Sequence, residues 1–115
     1  MNIPVARLLA VVWLVLLVAA CGGDDGAGPG PAASATVSMP GFSFTPFTTT
    51  LSIGGNVIYD FPAEPHNVIF AVVTGAPTDI QQTTNRQVTR AFPVAGTFPY
   101  DCTIHPGMSG VVIVR

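Results

Sequence analysis

The 115-residue chain contains no lysine and few charges of any kind. Four Arg stand against six Asp or Glu, 9% of the residues, where about 25% is usual. With a net charge of −2 it has no basic surface for the phosphate contacts that nucleic acids require, which excludes DNA and RNA as partners. Cysteine is limited to Cys21 and Cys102, and histidine to His66 and His105. So few thiols exclude a disulfide framework, and the length allows one small domain. No Ser-His-Asp or paired-carboxylate arrangement can be assembled, because Asp60, Glu64, Asp79 and Asp101 read most simply as strand-end and loop residues.

What the chain has in abundance is apolar sequence at its start. Leu8 to Ala20 is an unbroken apolar run of thirteen residues, preceded by Arg7 and with no acid before Asp24. Thirteen is short of the 18 to 20 or so residues that span a bilayer. A basic start, a short apolar run and small residues at its end make residues 1–20 an export signal. Val18-Ala19-Ala20-Cys21 resembles a bacterial lipobox, which implies cleavage before Cys21 and lipid on that cysteine. The protein would then sit in the cell envelope, anchored to a membrane. Residues 21–35 are expected to form a flexible tether, since seven of the fourteen residues from Gly22 to Ala35 are Gly or Pro and none is a large apolar side chain. Such a tether holds a domain roughly 20 Å from its anchor on average.

The remainder, 36–115, carries three Arg and four acids and is nearly neutral. Its apolar residues recur with period two: Val37 and Met39; Phe47, Thr49, Leu51 and Ile53; Val57, Tyr59 and Phe61; Phe98, Tyr100 and Cys102. Turn residues at Gly54-Gly55, Pro62 to Pro65, Gly75 to Pro77 and Ala95-Gly96 divide these runs. The expectation is an all-β sandwich of six to eight short strands. Arg90, on the same face as Val88 and Phe92, marks an edge strand or a bulge, and Pro99 restricts pairing around it. Val111 to Val114, apolar on both faces, reads as a central strand.

The chemistry gathers near the end of the chain. Cys102, His105 and Met108 lie within seven residues, spaced C-x2-H-x2-M around the turn dipeptide Pro106-Gly107. His66 stands thirty-six residues before Cys102 and joins the others only if a sandwich brings its strand ends together. Two imidazoles, a thiolate and a thioether are the donor set of a blue-copper electron-transfer site. Zinc gains little from a thioether, so Met108 favours copper. Counting donors excludes a second copper centre: no further histidine is present, and the Cys102 loop holds one cysteine.

Pro65-His66-Asn67 followed by Tyr100 to Met108, YDCTIHPGM, resembles the cupredoxin family, close to plastocyanin and amicyanin, with the short loop similar to amicyanin. The resemblance implies a Greek-key sandwich holding one type 1 copper ion through His66, Cys102, His105 and Met108. It implies that Asn67 braces the cysteine loop by hydrogen bonds. It also implies that His105 is the solvent-edge ligand through which electrons pass to redox protein partners docked on a surrounding apolar patch. The expected protein is a monomeric, membrane-tethered one-electron carrier and not an enzyme. A periplasmic copper carrier or buffer without redox duty is the alternative, and a metal-free tethered sandwich is the third reading.

Overall fold

The computed structural model describes residues 30–115. The export signal, Cys21 and most of the tether lie outside the described residues. Among the described residues there are seven strands and no helix, hence no helix long and apolar enough to cross a membrane. The strands are β1 (Ala32–Ser38), β2 (Thr48–Phe61), β3 (His66–Phe70), β4 (Ile80–Thr83), β5 (Arg86–Phe92), β6 (Gly96–Asp101) and β7 (Ser109–Val114). They follow the order β1-β2-β7-β6-β3-β4, with β5 paired to β2, and curl into the expected Greek-key sandwich.

The period-two pattern sorts the side chains as its physics requires, with alternate residues turned inward. Val57, Tyr59 and Phe61 of β2 and Phe98 and Tyr100 of β6 are buried, as is Cys102 just beyond β6. The aromatic rings meet edge to face: Tyr59 and Tyr100 at 5.4 Å, Phe70 and Tyr100 at 5.7 Å, Phe44 and Tyr100 at 4.8 Å between centroids. Tyr100 comes this close to the backbone of β7 because residue 110 is glycine. A Cβ there would lie 2.5 Å from the Tyr100 ring. Burial pushes the Tyr59 and Tyr100 phenols well above their ordinary range, so both stay neutral.

Three sequence expectations need correction. The expected tether boundary at residue 35 is too late, because Ala32, Ser34 and Ala35 already pair with β2, and pairing supplies the order their composition lacks. Gly54-Gly55 is a bend inside β2 rather than a gap between strands. Residues before it pair with β7 and residues after it with β5, while β1 keeps contact on both sides through Leu51 and Asn56, so the strand exchanges β7 for β5 there. Gly54 has φ +86°, and a Cβ on Gly55 would lie 2.9 Å from the Ser52 carbonyl oxygen, so the bend requires glycine. The inward run from Phe47 to Ile53 holds only at its centre: Thr49 and Leu51 are buried, while Phe47 and Ile53 are exposed at the ends. The expected restriction at Pro99 holds: it sits in a strand flanked on both sides and accepts a bond from Ala71 N–H at 2.9 Å through its carbonyl. It has no N–H to return, which is why β3 leaves the ladder after Phe70.

Two other expectations hold. β7 lies between β2 and β6, and β5 pairs with β2 alone. The Arg90 side chain turns from the core to donate to the carbonyls of Thr78 and Asp79 at 2.8 and 2.9 Å.

Candidate metal centre

His66 opens β3, and Cys102 follows directly on β6. Because β3 and β6 run antiparallel with Ile69 opposite Asp101, the start of one lies beside the end of the other. The loop from Cys102 to Met108 is closed by two backbone bonds. Cys102 N–H donates to Met108 O at 2.8 Å, and Met108 N–H to His105 O at 3.1 Å. Gly107, at φ +88°, supplies the left-handed turn that lets the chain return within this span.

These constraints bring three donors together. His105 Nδ1 lies 3.6 Å and His66 Nδ1 3.9 Å from Cys102 Sγ, and all three donor atoms fall within 4.8 Å of one another. Met108 is buried in the same apolar cluster as Cys102. An ion about 2.0 Å from each nitrogen and about 2.3 Å from sulfur in a trigonal plane separates nitrogen from sulfur by about 3.7 Å. The two observed separations bracket that value. His66 Nε2 is buried with no hydrogen-bond partner, a cost of about 1–3 kcal/mol that a bond at Nδ1 can offset. Burial, and secondarily the neighbouring His105, lowers the His66 pKa below 6.5 against the pull of Glu64, which favours the neutral, metal-binding imidazole.

Asn67 connects the two halves of the site. Its Nδ2 donates to Thr103 Oγ1 at 2.8 Å, and its Oδ1 accepts from Thr103 N–H at 2.8 Å. One amide thereby ties β3 to the residue after Cys102.

Two contacts were not legible in the sequence. The Phe42 ring stacks on His105 at 4.4 Å between centroids while remaining 65% exposed. It comes from the connection between β1 and β2, where Pro40-Gly41 is the only local signal, a turn dipeptide that says nothing of its target. Glu64 is a loop residue as expected, yet its Oε2 also lies 3.7 Å from His105 Nε2.

A β sandwich that converges two imidazoles and a buried thiol at one end, with a methionine on the same loop, defines a cupredoxin, the class whose cofactor is a single type 1 copper ion. No protein-family model matches the chain. It is 32% identical over 89 residues to amicyanin-alpha of Methylorubrum extorquens, covering 74% of this chain and 75% of the relative. The chain belongs to the amicyanin family. Among solved structures it is similar to a reduced Cu(I) form of an amicyanin mutant at pH 4, with TM-score 0.61, 26% identity, and 81% and 86% of the two chains covered. It is also similar to a Cu-containing nitrite reductase from Thermus scotoductus, with TM-score 0.62 and 25% identity over 84% of this chain, but it spans only 25% of that protein's length.

Proposed function

We propose that this chain is a membrane-tethered, extracytoplasmic electron carrier in which His66, Cys102, His105 and Met108 hold one type 1 copper. The observation that carries the reading is that the only two histidines of the chain present Nδ1 to the only cysteine of the folded domain, at 3.6 and 3.9 Å. A bound type 1 copper supplies one-electron chemistry, alternating between Cu(II) and Cu(I). The residues supply the rest. The strand-end His66 and the closed loop fix the donors in advance, so little has to move when the charge changes. Asn67 keeps the Cys102 backbone in place. His105 is the donor nearest solvent, its side chain 16% exposed, and the exposed residues Phe42, Ile104 and Pro106 surround it with apolar surface on which a redox protein can dock.

A carrier rather than an enzyme is supported by the donor count, since both histidines are committed to one centre. Export and tethering are supported by the apolar run Leu8 to Ala20 and by Cys21 after it.

The test is to add one equivalent of Cu(II) to the exported domain and record visible and EPR spectra. An intense blue colour with narrow copper hyperfine splitting, bleached reversibly by ascorbate and lost in Cys102→Ser, is expected. Colour retained in the serine variant overturns the ligand set. A colourless protein that takes up only Cu(I) overturns the carrier reading in favour of copper storage or delivery. Labelled fatty acid incorporated at Cys21 and lost in Cys21→Ala tests the tether.

A further inference from the structure

The end of the sandwich opposite the metal donors has its own surface. The pairings of Leu51 with Val114 and Ala32, of Gly96 with Val114, and of Gly55 with Phe92 bring several segments to that end. They are the start of β1, the bend in β2, the connection between β5 and β6, and Arg115. The connection between β3 and β4 joins them, since a Cβ on Gly75 would lie 2.4 Å from Val94. Four aliphatic side chains stand out into solvent there: Ile53 (59% exposed), Val72 (105%), Val73 (38%) and Val94 (43%). The nearby charges are engaged. Arg90 donates to the Thr78 and Asp79 carbonyls, and Asp79 Oδ1 accepts from Phe70 N–H at 2.8 Å. Arg115 adds an exposed cation at the same end.

We infer that this pole, through Ile53, Val72, Val73 and Val94, lies against the surface of the lipid bilayer to which the chain is tethered. The inference rests on the tether proposed above and adds which face the membrane meets. Three observations favour lipid over a protein partner. The chain enters the domain at this pole, at Ala32, eleven residues after Cys21. A flexible segment of that length holds this end roughly 18 Å from the anchor on average, so the membrane is the surface it meets most often. The patch is wholly aliphatic, whereas protein hot spots favour Trp, Tyr and Arg and are poor in Val. The exposed Arg115 suits anionic headgroups. The lipid on Cys21 would keep the chain at the membrane, and apolar side chains entering the interface add a second, weaker attachment that sets its orientation. Contact here turns His105 and Phe42 outward, toward partners arriving from the aqueous side.

The chain's only tryptophan is Trp13, so the domain has none and an introduced one reports its own depth. The full chain, processed and copper-loaded, is placed with vesicles of phosphatidylethanolamine and phosphatidylglycerol whose acyl chains are brominated or not, and the ratio of the two intensities cancels quenching by copper. Val72→Trp and Ile53→Trp alter fully and half-exposed sites where the larger ring meets no core. Both variants should lose roughly half their emission in brominated vesicles, as expected for side chains at the acyl boundary. Phe42→Trp should be unaffected. Flotation of the same samples separates the two readings. A chain that floats with vesicles while the Val72→Trp and Ile53→Trp variants are unquenched, or are quenched no more than Phe42→Trp, overturns the contact and leaves the tether standing. A chain that does not float overturns the tether and this inference with it.

Discussion

Replacing Asn67 by Ala removes two 2.8 Å hydrogen bonds that join β3 to the Cys102 loop. A bond of this kind contributes about 0.5–1.5 kcal/mol net. Thr103 is exposed, so water can reach its freed N–H and the cost stays near the middle of the summed range, about 2 kcal/mol. For a domain of this size each kcal/mol is worth about 4–8 °C in melting temperature, so the metal-free Asn67→Ala domain should melt about 8–16 °C below the parent. Calorimetry checks this. With copper present, the loosened Cys102 should release metal to a chelator faster. Asn67→Asp separates bracing from charge. It keeps Oδ1 as acceptor for Thr103 N–H, and the Thr103 hydroxyl can turn to donate to the carboxylate, so it should melt closer to the parent. Its added negative charge favours the more positive Cu(II) state and should lower the reduction potential. The reasoning is refuted if Asn67→Ala melts within about 2 °C of the parent, less than one lost bond would cause, and releases copper at the parent's rate.

Met108→Leu should keep the blue colour while raising the reduction potential, because the lost thioether donates more to Cu(II) than to Cu(I). A tenfold change in relative affinity corresponds to about 59 mV for one electron, and voltammetry would show a shift of that order. Gly110→Ala forces a Cβ to within 2.5 Å of the buried Tyr100 ring, and it should cost about 1–3 kcal/mol or prevent folding, as read from denaturant unfolding. The lowered His66 pKa means that, as pH falls below 6.5, the unfolded metal-free chain binds protons the folded one does not. Stability is therefore full above that pH and is lost as the solution becomes more acid. The apo melting temperature should fall between about pH 7 and pH 5, and His66→Gln should flatten the profile. A parent profile already flat over that range would contradict the burial argument.

Fold class, most of the inward strand faces and the candidate donors were legible in the residues alone. Period two needs no long-range contact to be visible, and with two histidines and one usable thiol in the domain the donor set had few alternatives. Asn67 was legible through its place beside His66 in a motif shared with the family, and its partner Thr103 emerged only from the geometry. The lost boundaries share a cause. Ala32 to Ala35 look like tether because their order comes from pairing with β2, and Gly54-Gly55 look like a turn between strands because local composition cannot show that one strand changes partners there. Tertiary structure alone decided that Phe42 covers His105, that Glu64 faces its Nε2, and that Ile53, Val72, Val73 and Val94 share the pole where the chain enters. Each of these depends on how loops from distant parts of the chain meet at one end of the sandwich. A loop side chain has no periodic neighbour to reveal its direction, so its partner is set by the packing of the strands that carry it.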